Sequence, residues 1–227
     1  GSAKVFYIEN GQSGFTLETS DTFSDVIYYI SHWYFFDGKL DLATGDFDKD
    51  GDVDSVLLYA DDNDGNVNTA AEGLRLMGVY YESGVLSNQS LAFHPHANSI
   101  TWGHVRTKDI DENGYIDVIY TECGFANDIS GLDVQVLLNT AGGFQSTQNA
   151  VNIPAQTNLG KYSYSMAIGH FSGPMYLDIA VAVNYNAGGS TYGKDGKIRI
   201  VKQKSDNTFQ LETAGKPFAE NKHFQHR

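Results

Sequence analysis

Short runs rich in β-branched and aromatic residues recur along the chain, each closed by Gly, Asn or Asp. They include Val5–Ile8, Phe15–Leu17, Leu42–Gly45, Ser55–Tyr59, Leu74–Met77, Val134–Leu137, Ile179–Val183, Ile198–Val201 and Phe209–Leu211. Runs of this length and composition predict strands joined by tight turns. No segment holds a 3.6-residue apolar period over three turns, so packed helices are not expected.

Polar positions show the larger pattern. Residues 46–54 carry Asp46, Asp48, Asp50, Asp52 and Asp54 around Gly51. Residues 109–117 carry Asp109, Asp111, Asn113 and Asp117 around Gly114. A third segment, 170–178, keeps the frame and the final Asp178, but has His170, Ser172 and Pro174 at the other polar positions. The three begin 63 and 61 residues apart, a period of about 62. Their flanks repeat as well. Leu42–Gly45, Ile100–Gly103 and Met166–Gly169 precede the loops, and Ser55–Tyr59, Val118–Tyr120 and Ile179–Val183 follow them. A third and a fourth strand then complete each unit: Val5–Ile8 with Phe15–Leu17, Leu74–Met77 with a turn at Gly84, Val134–Leu137 with Phe144, and Ile198–Val201 with Phe209–Leu211.

Four-stranded units repeating at this length predict an all-β chain of antiparallel propeller blades. On this reading residues 3–227 form one propeller segment of about three and a half blades, and Gly1-Ser2 is a cloning scar. The chain then opens on the third strand of a blade and closes near Lys222–His226 on a first strand. The rest of the ring is expected from a longer parent chain or from a second copy.

The loops define the candidate chemistry. Five carboxylates in nine residues repel one another unless a cation sits among them. Ca²⁺ takes six to eight oxygens, and alternate side chains of a tight loop converge on one point. Asp46, Asp48 and Asp50 stand at positions 1, 3 and 5, the Asp52 carbonyl at position 7, and Asp54 at position 9. The second loop offers Asp109, Asp111, Asn113, the Tyr115 carbonyl and Asp117 in the same order. Neither is an EF-hand, because position 12 is Leu57 or Tyr120 where that motif needs a bidentate Glu. The greater ligand charge of the first loop predicts tighter binding there, and the third loop is expected to be a metal-free turn.

The stretch from Gly45 to Asp54 resembles the FG-GAP repeat, also called the VCBS repeat, of integrin-α-type β-propellers. The resemblance implies two calcium sites in hairpins between the first two strands of a blade, away from the usual ligand face. It does not imply one function, since such propellers occur in adhesion receptors, lectins, toxins and polysaccharide lyases.

Charge narrows the partners. A formal net charge of −13 opposes binding to nucleic acid and to anionic lipid. No apolar run is long enough for a membrane-spanning helix, so insertion is not expected. One cysteine, Cys123, excludes an internal disulfide and reads as a small strand residue. His94-Pro95-His96 lacks further zinc ligands and reads as a surface turn. Asn88 opens a glycosylation sequon. The aromatic run Tyr28–Phe36 reads as core between blades or as an exposed patch for sugar or protein.

The expected function is a calcium-stabilised binding or adhesion module for glycan or protein, placed outside the cell, in the periplasm or on the cell surface. The alternatives are the propeller part of a carbohydrate-active enzyme, such as a lyase, or a structural segment of a toxin or adhesin. No nucleophile–base set or phosphate loop stands out, and an enzyme is not the favoured reading.

Overall fold

In the computed structural model, residues 2–11, 14–24, 40–62, 72–95, 101–124, 132–145, 148–153, 161–185, 195–212 and 216–217 are described. Among them there is no helix. The strands in chain order are β1 (Ser2–Gly11), β2 (Gly14–Ser24), β3 (Asp41–Gly45), β4 (Asp54–Asp62), β5 (Glu72–Glu82) and β6 (Val85–Pro95). Next come β7 (Thr101–Trp102), β8 (Val105–Lys108), β9 (Asp117–Gly124), β10 (Leu132–Leu137), β11 (Asn139–Thr140), β12 (Gly143–Phe144) and β13 (Gln148–Ile153). The last are β14 (Lys161–Gly169), β15 (Asp178–Tyr185), β16 (Asp195–Gln203), β17 (Phe209–Leu211) and β18 (Lys216–Pro217).

All pairings are antiparallel. β1 and β2 form a hairpin. β3-β4-β5-β6 form the first four-stranded sheet. The second runs β13-β10-β9, with β7 and β8 sharing the outer edge of β9. The third runs β14-β15-β16, with β17 and β18 both on β16. In each of these three sheets an Asp-ended loop joins the outermost strand to its neighbour. Gly45 pairs with Asp54, Lys108 with Asp117 and Gly169 with Asp178.

The sheets stack in chain order. Phe47, Val56, Leu58, Leu74 and Leu76 of the first pack with Val105, Val118 and Tyr120 of the second. Ile119, Val134, Val136 and Ile153 of the second pack with Met166, Ile179, Val181 and Val201 of the third. Because successive strand side chains face opposite ways, β9 sends Val118 and Tyr120 to one neighbour and Ile119 to the other. A strand buried on both faces needs a continuous apolar run, and β9 has one.

Three expectations change. The outer edge before the second loop begins at Thr101–Trp102, within the expected stretch, but the strand that runs into the loop is Val105–Lys108. Gly103 interrupts that edge, because a Cβ there would lie 1.8 Å from the Thr121 carbonyl oxygen. Phe144 does not lie in the strand that completes the second sheet. That place belongs to β13, while Phe144 sits in the small β11–β12 hairpin. His94 is not in a turn but in β6, where Nε2 lies 2.7 Å from the Tyr120 hydroxyl and Nδ1 lies 3.4 Å from Glu122. Asn88 and Cys123 lie in strands β6 and β9. His96, the run 28–36 and Lys222–His226 fall outside the described residues.

A polar clamp joins the first two sheets beside this core. Asp41 Oδ2 accepts hydrogen bonds from the Val105 N–H at 3.0 Å and Arg106 Nη1 at 3.1 Å, and lies 3.2 Å from His104 Nδ1. Thr107 Oγ1 donates to the Thr44 carbonyl at 2.6 Å. Burial pushes the Asp41 carboxyl up, but the His104 hydrogen bond, the Val105 N–H and the nearby cations outweigh it and bring it to about 2. A carboxyl lowered in the folded state stabilises it fully above the unfolded value, and that contribution is lost as pH falls from about 4 to about 2. Wild-type protein should therefore lose more stability than Asp41→Asn across that interval. Chemical denaturation at several pH values measures this, and parallel curves would refute it.

Candidate metal centres

The two acidic loops turn left-handed at the same two positions. Lys49 and Gly51, at positions 4 and 6 of the first, have φ of 65° and 98°. Glu112 and Gly114, at the same positions of the second, have 57° and 88°. Glycine accepts this left-handed geometry without strain, whereas a residue with a Cβ is held there at a cost of roughly 1–2 kcal/mol. Alternate residues are thereby turned inward. One carboxylate oxygen from each of Asp46, Asp48 and Asp50 lies within 4.8 Å of the others, and so do those of Asp109, Asp111 and Asp117.

Within each loop the carboxylates also accept backbone N–H groups. Asp48 accepts from Asp50 at 3.2 Å, and Asp50 from Asp52 at 2.8 Å. Asp109 accepts from Asn113 at 3.0 Å and Gly114 at 2.8 Å, and Asn113 Oδ1 accepts from Tyr115 at 2.7 Å. Asp46 Oδ1 is different, being buried with no hydrogen-bond partner. Such an oxygen is costly unless something positive reaches it. An all-oxygen donor set of carboxylates, one amide and backbone carbonyls suits a hard cation.

Position 9 behaves unlike the rest. Asp54, Asp117 and Asp178 are each 0% exposed. Each binds two backbone N–H groups, one in its own loop and one at, or two residues beyond, the end of its sheet's third strand. Asp54 accepts from Phe47 at 2.9 Å and Tyr81 at 3.1 Å. Asp117 accepts from Ile110 and Asn139, both at 2.7 Å. Asp178 accepts from Ser172 at 2.6 Å and Gln203 at 3.3 Å. The register is shared: Ser55, Val118 and Ile179 pair with Val79, Leu137 and Val201, and the donor in each sheet is two residues further on. Asp54 thus lies outside the tight trio of its loop, while Asp117 belongs to its own. Asp52 and Tyr115 stand at position 7, where a carbonyl would serve.

The third loop has the bolt without the trio. No residue in 170–178 has a positive φ. Its Phe171 is turned out, 47% exposed, whereas Phe47 and Ile110 at the same position are 3% and 1% exposed. His170 Nδ1 lies 2.9 Å from the Tyr176 carbonyl oxygen. A carbonyl only accepts, so this nitrogen carries the hydrogen. Positions 1 and 7 are therefore joined directly, where the acidic loops present two oxygens that cannot bond to each other.

No protein-family model and no curated protein matches the chain.

Electrostatics sets the acidic loops apart. Burial pushes the Asp54 carboxyl up to about 6 against the pull of the Phe47 and Tyr81 N–H groups, and the charges of Asp48 and Asp50 add to the rise. Asp117 is likewise pushed up to about 6 by burial, with Asp111 and Asp109 adding to it against the Asn139 and Ile110 N–H groups. Burial and the Asp54 and Asp48 charges push the Tyr80 hydroxyl up to about 12. A cation in either loop would reverse these like-charge effects.

Residues missed by sequence reasoning are Asn139, Asp41 and the strand-end donors Tyr81 and Gln203. The available signal was the ninth-position Asp, which persists in the third loop after the other carboxylates are gone.

Two predictions follow from the bolts. Asp178→Ala leaves the Ser172 and Gln203 N–H groups unpaired, and should cost about 1–3 kcal/mol for each N–H left without a partner by urea denaturation, equally with and without Ca²⁺. A cost below about 0.5 kcal/mol, the range of ordinary surface substitutions, would show that the bolt carries no weight. In metal-free protein, Asp54 and Asp117 hold protons in the folded state above the pH at which the unfolded chain releases them. Their contribution to stability therefore falls as pH rises from about 4 to about 6. The slope of denaturation free energy against pH checks the sign, and the Asp54→Asn, Asp117→Asn double variant should flatten it.

Proposed function

We propose that this chain is a calcium-stabilised segment of a β-propeller, akin to FG-GAP repeats, that serves as a binding module for glycan or protein outside the cytoplasm. The observation that carries this reading is the pair of loops, one per neighbouring sheet, with the same left-handed positions and three converging carboxylates each. Three four-strand-wide sheets stacked in chain order, each packing one face on the sheet before it or after it, support the blade reading.

Calcium fits the donor set better than magnesium, which demands a stiffer octahedron and keeps its water. In the first loop, Asp46, Asp48 and Asp50 supply side-chain oxygens and Asp52 its carbonyl. In the second, Asp109, Asp111, Asn113 and Asp117 supply side chains and Tyr115 its carbonyl. The partnerless Asp46 Oδ1 is the oxygen most in need of the ion. Calcium here is a structural element: it neutralises loops that join two strands and leaves recognition to other surfaces.

The test has a metal arm and a ligand arm. Chelation should lower the melting temperature and added Ca²⁺ restore it, by about 2.7 kcal/mol per site when free Ca²⁺ is 100 times its Kd. Asp48→Ala and Asp111→Ala should each remove part of that response. No shift, together with no calcium by elemental analysis, sinks the metal reading. Binding on a glycan or protein array without turnover supports the module. Cleavage of uronic-acid polysaccharide by the purified chain would replace it with the enzymatic alternative.

A further inference from the structure

The two acidic loops lie in different sheets but meet at one buried side chain, Asn139, which is 1% exposed. All of its polar groups are committed. Its backbone N–H donates to Asp117 Oδ1 at 2.7 Å, and its carbonyl accepts from Asn113 Nδ2 at 2.8 Å. Its side-chain Nδ2 donates to the Phe47 carbonyl at 2.7 Å, and its Oδ1 accepts the Thr140 N–H at 3.0 Å. The first two bonds end on the second loop and the third ends on the first loop, 92 residues away in sequence.

Other contacts hold the loops together. The Lys49 ammonium lies 3.9 Å from the centre of the Tyr115 ring. The Phe47 ring meets the Phe144 ring, just beyond Asn139, edge-on at 5.5 Å. A cleft of about 150 Å³ lies here, lined by Asp48 of the first loop, Tyr115 of the second, Tyr80 and Thr140 among others.

This arrangement makes the order of one loop a condition for the order of the other. Phe47 sits between Asp46 and Asp48, so whatever fixes its carbonyl positions the ligands at loop positions 1 and 3. A cation that gathers Asp117 and Asn113 fixes Asn139 from both its N–H and its carbonyl. Asn139 then holds Phe47, and the first loop loses less freedom when it closes on its own ion. Repulsion between the two ions acts the other way. It is weakened because Asp48, Asp50 and Asn113 are exposed to screening solvent.

We propose that Asn139 is a positioning residue that couples the two loops, so that a cation held in one raises the affinity of the other. This rests on the calcium reading above and adds regulation to it. By linkage the effect must be reciprocal, each loop gaining the same factor from the other.

Calorimetric titration of Ca²⁺ into the whole chain tests it, using wild type, Asp48→Ala and Asp111→Ala, each with and without Asn139→Ala. With Asn139 present, Asp111→Ala should weaken the first loop about fivefold or more, and Asp48→Ala should weaken the second by the same factor. In Asn139→Ala each loop should bind equally well whether or not the other is intact. Two sites whose affinities ignore each other with Asn139 present overturn the coupling and leave the calcium reading standing. Absence of binding to any variant overturns both. Coupling that survives Asn139→Ala overturns the role of Asn139. Should Asn139→Ala fail to fold, the reciprocal pair of single-loop variants decides the coupling, and Lys49→Met in each background tells whether the Lys49–Tyr115 contact carries it instead.

Discussion

A buried carboxylate that accepts two backbone N–H groups is the interaction on which each sheet depends. Asp54, Asp117 and Asp178 tie the hairpin loop to the backbone at or just past the end of the third strand, at the same register in three sheets. Charged hydrogen bonds of this kind contribute about 1.5–3 kcal/mol each. Their effect is also geometric. The loop joining the outer two strands is pinned to a strand two places inward, so the rim of the sheet cannot slide by a residue without breaking both bonds. A slip by one residue would exchange Val56 and Leu58, which face the second sheet, with Leu57 and Tyr59, which are buried on the opposite face. Both faces of β4 are apolar, so the bolt adds the register specificity that the apolar pattern of this strand does not supply.

The acidic trios are built on that bolt and work against it. Asp48 and Asp50 raise the carboxyl of Asp54, and Asp111 and Asp109 raise that of Asp117. The charges that would hold a cation thus weaken the ionised form on which the bolt relies. A cation resolves the conflict, since one positive centre favours all the carboxylates at once. The third loop resolves it differently: it has given up the acids, and an imidazole N–H spans positions 1 and 7 directly. The three loops are two solutions to the same problem of closing a hairpin over a buried aspartate.

Much of the fold was legible because its signals are local. Strand runs and the turns at Gly51 and Gly114 are each written within a few residues, and their copies recur about 62 residues apart; among the described residues most strands and loops lie where those runs fall. The misplaced strands have local causes. Gly103 ends an edge early because the Thr121 carbonyl occupies the space of a side chain, and Phe144 follows a turn that looks like the turn of a long hairpin. The ligand loops were legible by spacing, but the division of labour within them was not. Position 9 reads in sequence as one more oxygen, and only its distant N–H donor, 27 residues away for Asp54 and 22 for Asp117, distinguishes these two from the rest. Lys49 and Glu112 in left-handed geometry leave no compositional trace either, because the loop imposes the conformation on whatever side chain is there.

Asn139 is illegible for a related reason, and its chemistry explains its place. The point where the first loop touches the second sheet presents a buried carbonyl of Phe47, which needs a donor. It also presents Asp117 and the Asn113 amide, which need a donor and an acceptor. A single asparagine has a backbone N–H, a carbonyl and a side-chain NH₂ at nearly fixed relative positions, and so meets all three needs in one residue. Aspartate would set a charge against the Phe47 carbonyl, and an aliphatic residue would leave that carbonyl unpaired beneath the Phe47–Phe144 contact. Packing alone would have fastened the two sheets through Val105, Val118 and Leu137. The polar junction does something packing cannot, because it ties the position of one loop's ligands to that of the other's through bonds whose directions are fixed.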